Sequence, residues 1–321
     1  MLNSVGNPNR RSFLKQTLAA GALAGSGIRI AGAAEISGQP KEGPIGNFKI
    51  SLAEWSLHRA LFSKKLTNLD FPRVAREDYG IEAVEFVNQF FKDKAHDSDY
   101  LRELKKRAND VGVACVLIMI DGEGDLSSKE KAVRLKAVEN HKKWVDAAVS
   151  LGCHAIRINT GKTYSPTDLS ELAEACTSLV EYADAHKIHV ICENHGGASS
   201  DPNSLVALIK AVGKPGFGTL PDFGNFPRTP DKKSYTIDVY DAIARLMPYA
   251  KGVSAKSHDF NPDGQESELD YARILKIVTD AGYNGYVGIE YEGGRLSEPE
   301  GIRATKKLIE SVSGTIYKPK A

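Results

Sequence analysis

Four charged residues recur at a nearly constant spacing in the second half of the chain. Glu193, Asp222, Lys256 and Glu290 are separated by 29, 34 and 34 residues, and each stands at the end of a short, largely apolar run. One strand plus one helix has this length, so we expect the four groups at matching heights on four neighbouring parallel strands. Carboxylates crowded into a partly desolvated space are unfavourable unless a proton or a cation joins them. The pattern therefore predicts an oxygen-rich divalent metal site, which suits Mn²⁺ or Mg²⁺ better than structural zinc, with Zn²⁺ as an alternative.

Other polar residues also follow predicted strands. His195 follows Glu193 by two residues and therefore lies on the same inward face, so we expect it to contact the substrate. A buried lysine is costly without anionic neighbours, which places Lys256 in the site. Arg157 and Glu85 fit a buried pair that supports the barrel floor as well as they fit substrate ligands. Trp55 fits core or rim packing and, as the alternative, a platform for a sugar ring.

The elements that must position these groups alternate regularly along the chain. Short apolar runs predict strands at 50–55, 81–87, 113–120, 155–158, 188–192, 217–220, 252–255 and 286–289. Helical periodicity covers 100–111, 129–151, 166–186, 201–212, 237–247, 271–281 and 302–313. Helix crossovers make all strands parallel, and eight such units favour an α/β fold of the closed (β/α)8 TIM-barrel type. A doubly wound sheet is the alternative, but no Gly-x-Gly-x-x-Gly follows the first strand.

The amino terminus carries the features of an export signal. The sequence Arg10-Arg11-Ser12-Phe13-Leu14-Lys15 precedes thirteen uncharged residues, a run too short to span a bilayer. It resembles a twin-arginine signal, with cleavage expected after Ala33, whereas an amphipathic helix of the fold is the alternative. We expect the twin-arginine export machinery as a partner, a periplasmic or otherwise exported location, and no integral membrane segment after cleavage. The predicted organisation is a signal peptide (1–33), a flexible linker (34–47), the barrel (48–313) and a carboxyl-terminal tail (314–321).

The charge balance argues against a nucleic-acid partner. The 321 residues include 42 Lys and Arg against 41 Asp and Glu, for a formal net charge of +1. Residues 1–33 hold four basic and no acidic residues, so the chain without them carries −3. Such a chain has no basic field to attract polyphosphate. The four cysteines form no Cys-x-x-Cys pair, and we expect buried free thiols.

Four segments at the predicted strand ends resemble a known family. They are ENHGG at 193–197, LPDFGNF at 220–226, SAKSHDF at 254–260 and GYVGIEYEG at 285–293. They look like the xylose isomerase-like barrels of the sugar phosphate isomerase/epimerase superfamily, and the likeness covers about 48–313. In that family Glu, Asp, His and Glu from strands 5 to 8 hold a metal. Glu193, Asp222 and Glu290 match this pattern directly.

The histidine of the family pattern does not match cleanly. The usual strand 7 carries His-x-Lys, and aligning its lysine with Lys256 puts Ser254 where the histidine should be. Strand periodicity places His258 on the same face, one step further out, so it is the expected fourth ligand. Otherwise water or His195 completes a shell of three carboxylates, and the metal binds more weakly.

The resemblance implies a carbohydrate enzyme that moves a proton at the carbon next to a carbonyl, through an enediolate. Glu193 and Glu290 would face opposite sides of the substrate, one removing the proton and the other returning it. Lys256 and His195 would hold substrate oxygens.

Three other functions are alternatives to an isomerase or epimerase. The first is a lyase or hydratase on 3-keto-glycosides or related keto-sugars, and the second is a non-catalytic sugar-binding protein. The third, the apurinic endonuclease branch, expects more histidines and a basic mouth than this sequence offers. The substrate, its stereochemistry and the oligomeric state do not follow from the sequence.

Overall fold

The computed structural model describes residues 48–161, 164–231 and 233–316. The signal predicted for 1–33 and the linker predicted for 34–47 lie outside these residues, as does 317–321 of the predicted tail. Within the described ranges, no helix combines the length and the apolar character that a membrane crossing needs.

Eight parallel strands form the inner ring of the fold. They are β1 (Lys49–Ala53), β2 (Ala83–Val87), β3 (Ala114–Met119), β4 (Ala155–Ile158), β5 (His189–Glu193), β6 (Phe217–Leu220), β7 (Val253–Ser257) and β8 (Tyr286–Tyr291). Their order is β6-β5-β4-β3-β2-β1-β8-β7. Parallel bridges from Thr219 to Ala250 and from Asp222 to Ser254 bring β6 and β7 together. The result is a nearly closed (β/α)8 barrel, which confirms the predicted fold.

Helices surround the strands. They are α1 (His58–Phe62), α2 (Phe71–Tyr79), α3 (Ser98–Asp110), α4 (Lys131–Leu151), α5 (Ser170–Ala185), α6 (Pro202–Val212), α7 (Val239–Leu246), α8 (Tyr271–Asp280) and α9 (Glu298–Ile316). The first two were not among the predicted helices, and α9 begins four residues before the predicted start. Gly80, Gly112, Gly152 and Gly282 follow helices with φ between 63° and 74°, where a side chain would be strained.

The barrel interior divides into an apolar floor and a polar mouth. The floor consists of inward-facing apolar side chains, among them Leu117, Ala155 and Ile191, all fully buried. Apart from Glu85, which lies at the height of the floor, the charged side chains described below lie at the carboxyl ends of the strands, above this floor. A larger apolar layer between strands and helices holds the scaffold together. All four cysteines are buried free thiols, as expected.

Candidate active site

Three carboxylates from neighbouring strand ends meet at the mouth of the barrel. Glu193 ends β5, Asp222 lies just after β6 and Glu290 lies near the end of β8. One oxygen from each residue lies within 4.8 Å of the others, and all three side chains are buried. This arrangement brings together the three acidic residues that the sequence places at one height.

The Asp222 carboxylate is held firmly by the loop that follows β6. Its Oδ1 accepts hydrogen bonds of 2.8 Å from the backbone amides of Gly224 and Asn225. The side chain of Asn194 donates to the Asp222 carbonyl at 2.9 Å and accepts from the Asp222 amide at 2.8 Å. These bonds tie the end of β5 to the end of β6 and fix the separation of the first two carboxylates.

Glu193 is oriented by two partners. Its Oε1 accepts a 3.0 Å hydrogen bond from Asn225 Nδ2, and its Oε2 lies 2.9 Å from Arg157 Nε, close enough for an ion pair although not aligned as a hydrogen bond. Arg157 also donates from Nη1 to Asp121 Oδ1 at 2.8 Å. The guanidinium therefore bridges Asp121 and Glu193.

Glu85 lies lower in the barrel than Arg157. Its Oε1 accepts a 2.6 Å hydrogen bond from Ser51, and its Oε2 has no hydrogen-bond partner among the described residues. Gly288 leaves room for this carboxyl group, because a Cβ there would lie 2.6 Å from Oε1. Of the two interpretations of Arg157 and Glu85, the directly paired one is not seen, because the ion pairs of Arg157 go to Asp121 and Glu193; a contact of either residue with substrate stays a prediction.

Lys256 supplies a buried cation to the site. Its side chain is 2% exposed, and its Nζ lies 2.9 Å from Glu290 Oε1, 2.8 Å from Glu292 Oε2 and 3.9 Å from Asp222 Oδ2. Burial alone lowers the pKa of Lys256, but the surrounding carboxylates outweigh it and hold the pKa well above its ordinary value. Glu292 also accepts a hydrogen bond from the Trp55 indole.

A serine hydroxyl lies between two of the three carboxylates. Ser254 Oγ is 2.7 Å from Asp222 Oδ2 and 2.9 Å from Glu290 Oε2. A hydroxyl has one proton to donate, so it satisfies only one of these carboxylates at a time when both are ionised. The other contact requires a proton on a carboxyl group or a cation nearby.

His258 lies on the wall of a neighbouring cavity and is not part of the group of three carboxylates. Its Nδ1 is buried and has no hydrogen-bond partner among the described residues, while its backbone amide donates to Glu266 at 3.3 Å. Ligation by His258 therefore stays a prediction.

Burial and mutual repulsion shift the titration of these carboxyl groups. Burial raises the pKa of Glu193 to about 7, with Arg157 opposing and Glu290 adding to the shift. Burial also raises the pKa of Asp222 to about 7, opposed by Lys256. A divalent cation removes this repulsion, and a set of three carboxylates with open positions is the donor chemistry that hard cations prefer. The residues present thus fit a divalent metal.

An inner cavity of about 180 Å³ lies beside the carboxylates. His195 lies at its rim, and its Nδ1 is 3.0 Å from Asn159 Oδ1. Trp55 forms another wall and stacks on His58 with ring centroids 5.0 Å apart. The residues that line this cavity are Trp55, Val87, Gln89, Met119, Asp121, Arg157, His195, Glu290 and Glu292.

Several side chains that shape the site were not among the predicted site residues. Three of them, Asn194, Asn225 and Glu292, lie inside the strand-end segments quoted above. The sequence around them does not indicate that their side chains point into the site. Asp121 follows the third predicted strand and could have been found by pairing it with the arginine at the end of the fourth.

The family model described as "Xylose isomerase-like TIM barrel" matches residues 74–312. The chain belongs to this family. This xylose isomerase-like protein is 27% identical over 251 residues to the uncharacterized protein MJ1188 of Methanocaldococcus jannaschii, covering 73% of this chain and 87% of that one. It is also 32% identical over 85 residues to the C-glycoside deglycosidase alpha subunit of Arthrobacter globiformis, covering 23% of this chain and 24% of that one.

Solved structures of other proteins share the fold. One is a xylose isomerase-like TIM barrel protein from Mycobacterium smegmatis in complex with magnesium, with a TM-score of 0.61 and 18% identity over 84% of this chain and 98% of that one. Another is the 3-keto-D-glucoside 4-epimerase YcjR from E. coli, with a TM-score of 0.63 and 12% identity over 82% of this chain and 99% of that one.

Proposed function

We propose that this xylose isomerase-like protein is a metal-dependent isomerase or epimerase that acts on a sugar or keto-sugar. The observation that carries the proposal is the group of three buried carboxylates, Glu193, Asp222 and Glu290, within 4.8 Å of one another beside a small cavity. Sugar epimerases among the structural neighbours support the same reaction class.

Glu193, Asp222 and Glu290 would hold the metal, with Mn²⁺ or Mg²⁺ favoured by the all-oxygen donor set. When bound, the metal supplies Lewis-acid stabilisation of negative charge on a substrate oxygen. His258 and water are the candidates for further ligands.

The side chains themselves provide the proton transfer. Glu193 and Glu290 come from β5 and β8, so they would approach the reacting carbon from different directions, one removing the proton and the other returning it, and each acid-base step contributes about 10²- to 10⁴-fold. Arg157 orients Glu193. Lys256 stays protonated and donates to an oxygen on which negative charge develops. His195 and Trp55 line the inner cavity. From there they would contact the sugar ring and its hydroxyls.

Isotope exchange tests the proposal. The protein is loaded with Mn²⁺ or Mg²⁺ and incubated with keto-sugars in D₂O, and we expect deuterium at the carbon next to the carbonyl together with an isomer or epimer. Glu290→Gln is expected to lower the exchange by about 10²- to 10⁴-fold. The matched control, Glu310→Gln, changes an exposed glutamate of α9 and should exchange at the wild-type rate. A metal-loaded protein that exchanges no proton with any keto-sugar would reject the proposal.

A lyase or hydratase on 3-keto-glycosides is the second candidate. The similarity to a C-glycoside deglycosidase subunit favours it, because bond cleavage next to an enediolate starts with the same proton removal. Release of the aglycone or uptake of water, without formation of an epimer, would support the lyase or hydratase. Sugar binding that survives chelation of the metal, without any turnover, would select a binding protein instead.

A further inference from the structure

A second, larger cavity adjoins the group of three carboxylates. Its volume is about 720 Å³, and it is formed by the loops that follow β5, β6 and β7. The lining residues include Gly196, Asn225, Phe226, Arg228 and Pro230. The inner cavity, in contrast, is lined from β1 to β5 and from β8.

Glu193 lies between the linings of the two cavities, which have no residue in common. Asn225 lines the second cavity while its Nδ2 donates to Glu193 Oε1 at 3.0 Å. Gly224 lets the loop lie against Lys256, because a Cβ at this position would approach Lys256 Cγ to 2.9 Å. His195 lines the inner cavity and its neighbour Gly196 lines the second one. Glu193 therefore contacts one lining residue of each cavity, Arg157 of the inner cavity and Asn225 of the second.

The two volumes limit the size of the group that each cavity can hold. Cavities that enclose drug-sized ligands usually measure about 300–1,000 Å³. The inner cavity of about 180 Å³ lies below this range and suits one sugar ring, whereas the second cavity of about 720 Å³ lies well inside it. A free monosaccharide in the inner cavity would leave the second cavity without a role in substrate binding.

The chemistry of the second cavity points to a neutral occupant. Among its described lining residues, Arg228 carries the one permanent charge, and this guanidinium already donates to the Tyr235 hydroxyl at 2.7 Å and to the Glu268 carboxylate. Phe226 and Pro230 contribute apolar surface. A phosphate or carboxylate would find its natural partner already neutralised here.

We propose that the substrate is a glycoside whose keto-sugar ring occupies the inner cavity and whose neutral, ring-sized substituent occupies the second cavity. This inference rests on the proposed function, which supplies the keto-sugar. The substituent is a second sugar or an aryl group, since both are neutral rings joined through a glycosidic bond.

Substrate preference tests the inference. Proton exchange in D₂O is measured as kcat/KM for a free keto-hexose, its methyl glycoside, a keto-disaccharide and a 4-nitrophenyl keto-glucoside. We expect at least about a tenfold preference for one or both ring-bearing probes, the scale of discrimination that pocket contacts supply. The disaccharide and the aryl probe distinguish the two sources of the ring. Equal kcat/KM for all four probes would overturn the inference.

A pair of variants locates the effect. Pro230 is exposed and lines the second cavity, so Pro230→Trp should fill part of it and lower kcat/KM for the preferred probe at least about fivefold while sparing the free keto-hexose. The control Lys233→Trp lies in the same loop, is exposed and does not line the cavity. An equal loss for all probes, or no loss, would contradict the assignment.

Binding separates this inference from the proposed function. Calorimetry with the unoxidised disaccharide, aryl glucoside and free hexose measures occupancy of both cavities without turnover. Tighter binding of a ring-bearing probe that Pro230→Trp weakens supports the second cavity as a substituent site even if no probe exchanges a proton. In that case the proposed function fails alone. Equal affinities for all three sugars reject the glycoside site.

Discussion

Replacement of Lys256 by methionine would show how much of the site depends on an internal cation. Lys256→Met keeps a long unbranched side chain and removes the ammonium that lies 2.9 Å from Glu290 and 2.8 Å from Glu292. In the protein without metal, the two carboxylates and Asp222 would then repel one another with no permanent charge between them. We expect the metal-free variant to be less stable than the metal-free wild type.

The size of the effect follows from burial. Two unit charges about 4 Å apart interact by about 4 kcal/mol at an effective dielectric constant of 20, and removal of one partner from a buried ion pair typically costs about 3–5 kcal/mol. Domains of this size lose about 2 °C of melting temperature per kcal/mol. Lys256→Met should therefore melt about 6–10 °C below the wild type in the presence of a chelator.

Metal should restore much of this loss. A divalent cation bound to Glu193, Asp222 and Glu290 supplies positive charge to the same carboxylates, so saturating Mn²⁺ should shrink the difference in melting temperature by at least half. Calorimetry with and without metal makes the comparison.

The matched control is Lys276→Met, which removes a lysine ion-paired with Asp280 on the exposed face of α8. A pair exposed in this way contributes about 1 kcal/mol or less, and metal should not change its effect. A Lys256→Met protein that melts with the wild type in chelator, or a difference that Mn²⁺ leaves unchanged, would refute the reasoning.

Three further predictions concern groups around this site and the amino terminus. Burial raises the pKa of Glu85 to about 8, so the stability that its protonated form contributes is fully present below about pH 4.5 and is lost as the pH rises to 8. In that window the free energy of unfolding should fall by about 1.4 kcal/mol per pH unit on account of this one group. Glu85→Gln should remove that slope, and denaturant titrations at several pH values would measure it. Ser254→His places an imidazole between Asp222 and Glu290 and should lower the Mn²⁺ dissociation constant at least about tenfold by calorimetry, whereas an unchanged constant would contradict the placement. Replacement of Arg10 and Arg11 by lysine should retain the protein in the cytoplasmic fraction on cell fractionation, and undiminished export would argue against the twin-arginine route.

The alternation of strands and helices was readable from the sequence, but two helical segments show where such a reading fails. α2 (Phe71–Tyr79) was missed and α9 (Glu298–Ile316) was predicted to begin too late. Each has a proline at its second position, Pro72 and Pro299. Proline interrupts a helical pattern in the sequence, yet the first turn tolerates it because amides there have no partner within the helix.

The heights of inward-facing residues were predictable along one strand but not across the barrel. The strand register puts Glu85 level with Leu117 and Ala155, and therefore two residues below Arg157. Arg157 instead reaches sideways to Asp121 and Glu193. Spacing along the chain predicts which face a residue occupies, whereas the stagger between strands decides which partner it meets.

The charged groups at the barrel mouth carry an excess of negative charge. Within the described residues, five carboxyl groups share the network of Arg157 and Lys256, namely Asp121, Glu193, Asp222, Glu290 and Glu292. Full ionisation would leave an excess of three negative charges, of which a divalent cation offsets two. We infer that one proton on a carboxyl group offsets the third. The same proton explains how Ser254 can form hydrogen bonds with both Asp222 and Glu290, because the hydroxyl then donates to one carboxylate and accepts from the protonated one. An acid-base pair needs this same state, because one carboxyl group must hold a proton while its counterpart is ready to accept one.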